Sequence, residues 1–182
     1  MHSNSWGAPN SAGRYDSFAI QADKFMFENQ DFLGVFAAGN DGQDANKDGV
    51  VDENSVSSPG SAKNVLTVGA SKNYLLDGGI RRQMKDLRNG AAKWGTEPLA
   101  SSKLSDDPRG LAAFSSRGPT ADGRIKPEIV APGTNIVSAR TTNPAADPVK
   151  DSWGADPDHY IYMGGTSIAT PPTSGAVGVI SQ

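Results

Sequence analysis

Cysteine is absent from this chain of 182 residues, which excludes disulfide bonds and thiolate metal sites. A strong excess of one charge is absent too, since the formal net charge is −3 at pH 7. We therefore expect neither a nucleic-acid partner nor an anionic membrane partner. No apolar run approaches the roughly 20 residues that span a bilayer. The N-terminus has no basic region followed by an apolar one, so we do not expect a signal peptide there.

Histidine is scarce, because the chain has only His2 and His159. Apolar residues make up 36% of the sequence, and 21 glycines and 12 prolines indicate many loops. The composition is nevertheless too mixed for a disordered chain. The length suits one domain with a sizeable core, so residues 1–182 are interpreted as one domain.

Helix and strand patterns alternate along the chain. Residues 15–30 place apolar residues at helical spacing and predict an amphipathic helix. Residues 32–38 form a continuous apolar run, which is typical of a buried parallel strand. Further strands are predicted at 65–68, 129–130, 136–139 and 160–163, and a buried helix at 174–180. This alternation predicts an α/β fold with a mostly parallel sheet.

Residues 164–171, Gly-Gly-Thr-Ser-Ile-Ala-Thr-Pro, follow the last predicted strand. A serine between a glycine turn and a helix would be lifted clear of the sheet, and the helix N-terminus would offer N–H groups to an oxyanion. The same pattern also suits Thr166 or Ser167 acting only as a helix cap. Ala169 stands where the Gly-x-Ser-x-Gly elbow of α/β hydrolases needs its last glycine, so that class is disfavoured.

The stretch resembles the serine motif of the subtilisin-like proteases (subtilases), Gly-Thr-Ser-Met-Ala-x-Pro, with Ile168 in place of methionine. Further blocks resemble the same family, in the family's order, at residues 5–7, 37–40, 57–60, 64–70, 114–119 and 126–133. Several ordered motifs are a more specific signal than one motif alone. The resemblance implies a three-layer subtilisin-like fold, incomplete at the N-terminus, and hydrolysis of peptide bonds.

The resemblance implies a role for each matching residue. Ser167 would be the nucleophile, and Asn40 would donate its side-chain amide to the oxyanion. The segment Ser5-Trp6-Gly7 resembles a family strand that pairs with an extended peptide or protein substrate. The remaining predicted substrate-binding residues are Ala37, Ala38, Gly39 and Thr166. The small side chains at 37–39 would leave room for a large apolar side chain before the cut.

The resemblance also shows what this chain lacks. A subtilase takes its base and acid from Asp-Ser/Thr-Gly and His-Gly-Thr-His segments, and neither segment occurs here. His2 and His159 stand in other settings, so neither is expected to be the base. We expect the chain to be the C-terminal part of a catalytic domain, with the missing N-terminal part as its partner, and to be inactive alone. Pro172 departs from the motif and predicts a helix that starts late or is kinked.

Two segments stand apart from the strand and helix pattern. Residues 41–60 form an acidic loop with the spacing of an EF-hand calcium site. The predicted calcium ligands are Asp44, Asn46, Asp48, the Val50 carbonyl and Asp52. Ser55 stands where a bidentate glutamate would complete such a site. Residues 72–110 are interpreted as a polar insertion on the surface.

Two interpretations of the chain remain open. One is a serine endopeptidase whose acid and base lie upstream, and the other is a non-catalytic, calcium-stabilised, peptide-binding relative. Retention of both Ser167 and Asn40 favours the first, because a binding module does not need an oxyanion donor. The resemblance and the calcium loop imply an extracellular protein.

Overall fold

The computed structural model describes residues 1–143 and 159–181. The strands are β1 (His2–Asn4), β2 (Gly34–Ala37), β3 (Leu66–Ser71), β4 (Ile129–Pro132), β5 (Ile136–Ala139) and β6 (Tyr160–Met163). The helices are α1 (Ser17–Glu28), α2 (Gly90–Trp94) and α3 (Thr166–Ile180), with a short 3₁₀ turn at Met84–Asp86. Every strand and helix that the sequence predicts has a counterpart among these elements.

Four of the strands form one parallel sheet in the order β1-β2-β3-β4. β5 and β6 pair antiparallel in a separate ribbon that leads into α3. Asp16 caps α1, because its carboxylate accepts the backbone N–H groups of Phe18 and Ala19 at 3.1 and 3.2 Å. The predicted α/β fold with a mostly parallel sheet is confirmed.

The core lies on both faces of β2, because successive side chains of a strand point in opposite directions. Val35 is fully buried in a cluster that includes Ala169 of α3. Phe36, the next residue, packs with Ala19 of α1 and Val65. The two helices therefore cover opposite faces of the sheet, which gives a three-layer arrangement.

Two predictions about element boundaries and one about burial differ from the structure. β1 ends at Asn4, so residues 5–7 follow the strand rather than lie in it. α3 begins at Thr166 and contains Pro171 and Pro172, so of the two alternatives predicted from Pro172, a late start or a kink, the late start is wrong. Its C-terminal end is exposed rather than buried, with Ile180 85% exposed.

Residues 72–110 contribute a buried cluster of their own. Met84, Trp94 and Leu104 pack together with Val51 and Ala113 from outside the segment. The Trp94 indole N–H also donates to a backbone carbonyl of the acidic loop, at Gly42. The segment is therefore more than a surface excursion, because it supports the loop that follows β2.

An apolar groove of about 390 Å³ lies between α1 and the sheet edge formed by β1. Trp6, Phe18, Phe25 and Phe36 are among its lining residues, and Phe18 and Phe25 are each nearly half exposed. None of the helices in the described part of the chain is long and apolar enough to cross a bilayer.

Candidate active site

Ser167 is the second residue of α3, and its hydroxyl lies at the opening of a cleft. The Oγ atom donates to the backbone carbonyl of Ser5 at 2.9 Å, and Ser5 Oγ donates to the Ser167 carbonyl at 2.8 Å. In an uninterrupted helix that carbonyl would accept the N–H of residue 171, but Pro171 has none. Ser5 therefore supplies the donor that the proline removes, and the exchange ties α3 to the segment after β1.

Asn40 follows β2 and reaches the same N-terminus of α3. Its Oδ1 atom accepts the Thr166 backbone N–H at 2.9 Å and the Thr166 hydroxyl at 3.2 Å. Two donors on Oδ1 fix the orientation of the amide, so the Nδ2 group faces away from Thr166. Among the residues that the structure describes, no acceptor is bonded to Asn40 Nδ2.

Gly39 makes the turn that carries Asn40. Its φ of +108° lies in a region that side-chain-bearing residues rarely adopt. A Cβ atom at this position would also collide with the side chain of Ser57. The Gly39 N–H donates to Thr166 Oγ1 at 3.2 Å, so Thr166 bonds both sides of the turn.

Asn40 and Ser167 share a pocket of about 310 Å³. The other predicted site residues on its wall are Ser5, Trp6, Gly7, Ala37, Gly39 and Thr166. Ala38 is the exception, because it is fully buried and its N–H continues the sheet ladder by donating to the Val68 carbonyl. The prediction that Ala38 forms part of the pocket wall is therefore wrong.

The pocket is also lined by three residues that the sequence analysis did not predict as site residues, namely Pro9, Asp41 and Ser57. Asp41 follows Asn40 directly, and Ser57 begins a block that resembles the family, so both had a signal in the sequence. Pro9 had none, because its position depends on the turn after residues 5–7. The pocket therefore carries a carboxylate that the motif comparison did not reveal.

Neither histidine is bonded to the serine hydroxyl. His2 Nδ1 pairs with Asn4 Oδ1 at 2.9 Å, and the His159 carbonyl accepts the N–H of Arg140 at the start of β6. Within residues 1–143 and 159–181, the recorded partner of Ser167 Oγ is a carbonyl, which cannot take up its proton. In this part of the chain, no histidine, aspartate or glutamate side chain is hydrogen-bonded to Ser167 Oγ.

Asp44, the first predicted calcium ligand of the acidic loop, organises the backbone of the turn that follows it. Asp44 is 2% exposed and accepts the N–H groups of Asp48 and Gly49, each at 3.0 Å. Gly49 has a φ of +84°, and a Cβ there would collide with the Glu97 carbonyl. The turn therefore depends on glycine and lies against the segment 72–110.

The other predicted calcium ligands are bonded within the same loop. Asp48 Oδ1 accepts the Val50 N–H at 2.8 Å, and Asn46 Nδ2 donates to Asp48 Oδ2 at 3.0 Å. Asp52 Oδ2 accepts the Ala45 N–H at 2.7 Å. The described residues contain no group of three or more His, Cys, Asp or Glu side chains arranged to hold a metal ion. The carboxylates here accept N–H groups of the loop itself.

Comparisons with known proteins agree with the fold and the motifs. The chain is 36% identical over 146 residues to serine protease AprX of Bacillus subtilis (strain 168), covering 80% of this chain and 25% of AprX. It is 34% identical over 167 residues to pyrolysin of Pyrococcus furiosus, covering 91% of this chain and 10% of pyrolysin. The chain thus spans a quarter or less of the length of these relatives.

Solved structures share the fold at lower identity. The prenylagaramide maturation protease PagA superposes with a TM-score of 0.53 and 23% identity, over 98% of this chain and 42% of PagA. Sphericase superposes with a TM-score of 0.51 and 22% identity, over 96% of this chain and 40% of sphericase. The model of the subtilase family, Peptidase_S8, matches residues 1–182. The chain therefore belongs to the subtilase family of serine proteases.

Proposed function

We propose that this chain supplies the nucleophile and an oxyanion donor of a serine endopeptidase. The observation that carries the proposal is the pairing of Asn40 with the start of α3. Thr166 holds Asn40 Oδ1, which leaves Nδ2 for the pocket that Ser167 also lines. An amide donor and a helix N-terminus at one pocket suit an oxyanion that forms when Ser167 attacks a peptide carbonyl.

The attack needs a base that takes the Ser167 proton, and an acid that orients the base. Both are proposed to come from a segment outside this chain, upstream of residue 1. The exposed apolar groove beside β1 supports this, because a sheet edge and an apolar face of that size suit cover by another part of the domain. The isolated chain is then expected to hydrolyse peptides poorly.

The substrate is proposed to be a peptide or protein that lies extended along residues 5–7. These residues continue from the parallel strand β1 and line the pocket, so their backbone suits strand addition. The Ser5 carbonyl accepts the Ser167 hydroxyl in the structure, and this bond must break when the base engages the hydroxyl.

The test is peptide cleavage by the full-length protein and by Ser167→Ala and Asn40→Ala variants. Ser167→Ala should abolish cleavage, whereas Asn40→Ala should lower kcat by at least about tenfold with little change in KM. Ser17→Ala is a matched control, because Ser17 is exposed at the start of α1. Undiminished cleavage by Ser167→Ala would exclude the proposed nucleophile. Peptide binding without any cleavage would favour the non-catalytic relative.

We also propose that Ca²⁺ stabilises the acidic loop and that the complete protein is extracellular. The oxygens of Asp44, Asn46, Asp48 and Asp52, with the Val50 carbonyl, suit a hard cation. Each carboxylate oxygen that accepts a backbone N–H keeps a second lone pair, so the loop could bind the ion while retaining these hydrogen bonds. The melting temperature should rise in millimolar Ca²⁺ and not in Mg²⁺, and Asp48→Ala should remove the rise. An unchanged melting temperature in Ca²⁺ would exclude this site.

A further inference from the structure

Among the described residues, Asp41 is the one charged residue on the wall of the pocket that holds Ser167 and Asn40. It follows Asn40 in the chain, so the turn at Gly39 that positions the amide positions the carboxylate as well. This conflicts with the expectation that the small side chains of the pocket select a large apolar residue. A bulky apolar group would take water away from the carboxylate and give it no partner.

Two hydrogen bonds hold Asp41 in place. Its backbone N–H donates to Ser116 Oγ at 3.0 Å, and its Oδ2 atom accepts the Asn10 N–H at 3.0 Å. Among the described residues, no donor is hydrogen-bonded to Asp41 Oδ1. No lysine or arginine of that part of the chain forms an ion pair with Asp41. One carboxylate oxygen is therefore left for a ligand.

The surroundings of Asp41 are negative. A second cavity of about 320 Å³ adjoins it, and Asp41, Asp52 and Glu53 line that cavity. Neither cavity has a lysine, arginine or histidine among its described lining residues. Low-dielectric walls with charge of one sign concentrate ligands of the opposite charge.

Apart from Trp6 and Pro9, the remaining described residues of the pocket wall are small or polar, and none of them is charged. Ala37, Gly39 and Ser57 lie along it, and they leave room for a long unbranched side chain. Lysine and arginine have an apolar stem and a cationic end. The stem would pack against the small side chains of the pocket, and the cationic end would bind the Asp41 carboxylate. A glutamate at the same place would face a like charge.

From this geometry we infer that Asp41 selects substrates with arginine or lysine immediately before the scissile bond. The inference rests on the proposed function, because it takes this pocket to receive that side chain. Asp41 binds the substrate, and it takes no part in the bond-breaking steps.

The experiment measures the binding of product-like peptides to the full-length protein by fluorescence anisotropy. The peptides are identical except for a C-terminal Arg, Lys, Phe or Glu, and the same sequences, extended beyond that residue, are tested for cleavage. We expect the Arg peptide to bind about tenfold more tightly than the Phe peptide, which corresponds to about 1.4 kcal/mol. The preference should shrink as the salt concentration rises.

Asp41→Asn is the informative variant, because the asparagine oxygen still accepts the Asn10 N–H while the charge is lost. It should weaken binding of the Arg peptide about tenfold and change binding of the Phe peptide less than about twofold. Asp41→Lys should shift the preference toward the Glu peptide. Glu53→Gln removes the same charge from the adjoining cavity only and should change the Arg preference less than about twofold.

The outcomes separate this inference from the proposed function. An Arg preference that Asp41→Asn removes, without any cleavage, would support Asp41 and overturn the endopeptidase. Cleavage with equal or better binding of the Phe peptide, or an Arg preference that Asp41→Asn leaves intact, would overturn the inference alone. Failure of every peptide to bind would overturn both.

Discussion

Replacing Thr166 with valine should disturb Asn40 while leaving the packing of α3 almost unchanged. Valine has nearly the shape of threonine, and Thr166 is fully buried, so the main loss is the hydroxyl. That hydroxyl accepts the Gly39 N–H and donates to Asn40 Oδ1. Its removal leaves a donor without a partner and leaves Oδ1 with the Thr166 N–H alone.

The expected loss follows from these two bonds. Gly39 is only half-buried on the pocket wall, so water can partly replace the lost partner of its N–H, and Thr166→Val should lower the free energy of unfolding by about 1 kcal/mol, the low end of the cost of an unsatisfied donor. Asn40 would also sample orientations in which Nδ2 leaves the pocket. In the full-length protein we therefore expect kcat to fall about tenfold while KM changes less than about threefold.

Thr166→Ser is the matched variant, because it keeps the hydroxyl and removes a methyl group. It should cost about 1 kcal/mol in urea unfolding and leave kcat within about twofold of the parent. The two variants thus separate the effect of losing side-chain packing at Thr166 from the effect of losing the hydroxyl that orients Asn40. If Thr166→Val unfolds with a change below about 0.5 kcal/mol, or if serine lowers kcat as much as valine does, Thr166 does not orient Asn40 as argued.

Three further predictions concern the frame around the site. Trp94→Ala should lower the free energy of unfolding by about 3–5 kcal/mol in a urea titration, because it empties the buried cluster of segment 72–110; a loss below 1 kcal/mol would show that this cluster is dispensable. Lys126→Met should cost about 2 kcal/mol in the same titration, since the buried ammonium pairs with Glu128 at 2.6 Å, and a more stable variant would contradict this. Arg124 hydrogen-bonds Asp122 and lowers its pKa to about 2 from 3.8, so the stability that Asp122 contributes above pH 4 should disappear as the pH falls toward 2. Asp122→Asn should make the fall in melting temperature over that range smaller, and a profile identical to that of the parent would refute the assignment.

Sequence patterns predicted the elements whose apolar residues follow a regular local spacing. β2 is a continuous apolar run, and α1 repeats its apolar residues with helical spacing, so local rules were sufficient for both. The segment 72–110 was harder to interpret, because Met84, Trp94 and Leu104 are separated by polar residues. Their burial depends on contacts with residues distant in the chain, which no local period reveals.

The candidate site was predictable in its residues and not in its bonds. Ordered motifs identified Ser167 and Asn40, but the exchange between Ser5 and Ser167 joins residues 162 positions apart. That pair of bonds explains how α3 accommodates Pro171, whereas the late start was predicted from Pro172 by a local rule alone. Asp41 was overlooked because the family motif describes its neighbour, whereas its importance comes from the pocket that it lines.

The most direct test of the account asks whether Ser167 is a nucleophile. The full-length protein would be treated with a fluorophosphonate, which reacts with activated serines, and digested for mass spectrometry. The account predicts a phosphonate on Ser167, loss of labelling in Ser167→Ala, and no labelling of residues 1–182 expressed alone, because the described part of this chain holds no base bonded to Ser167. A full-length protein that cleaves peptides with an unlabelled Ser167, or with the label on another serine, would contradict it.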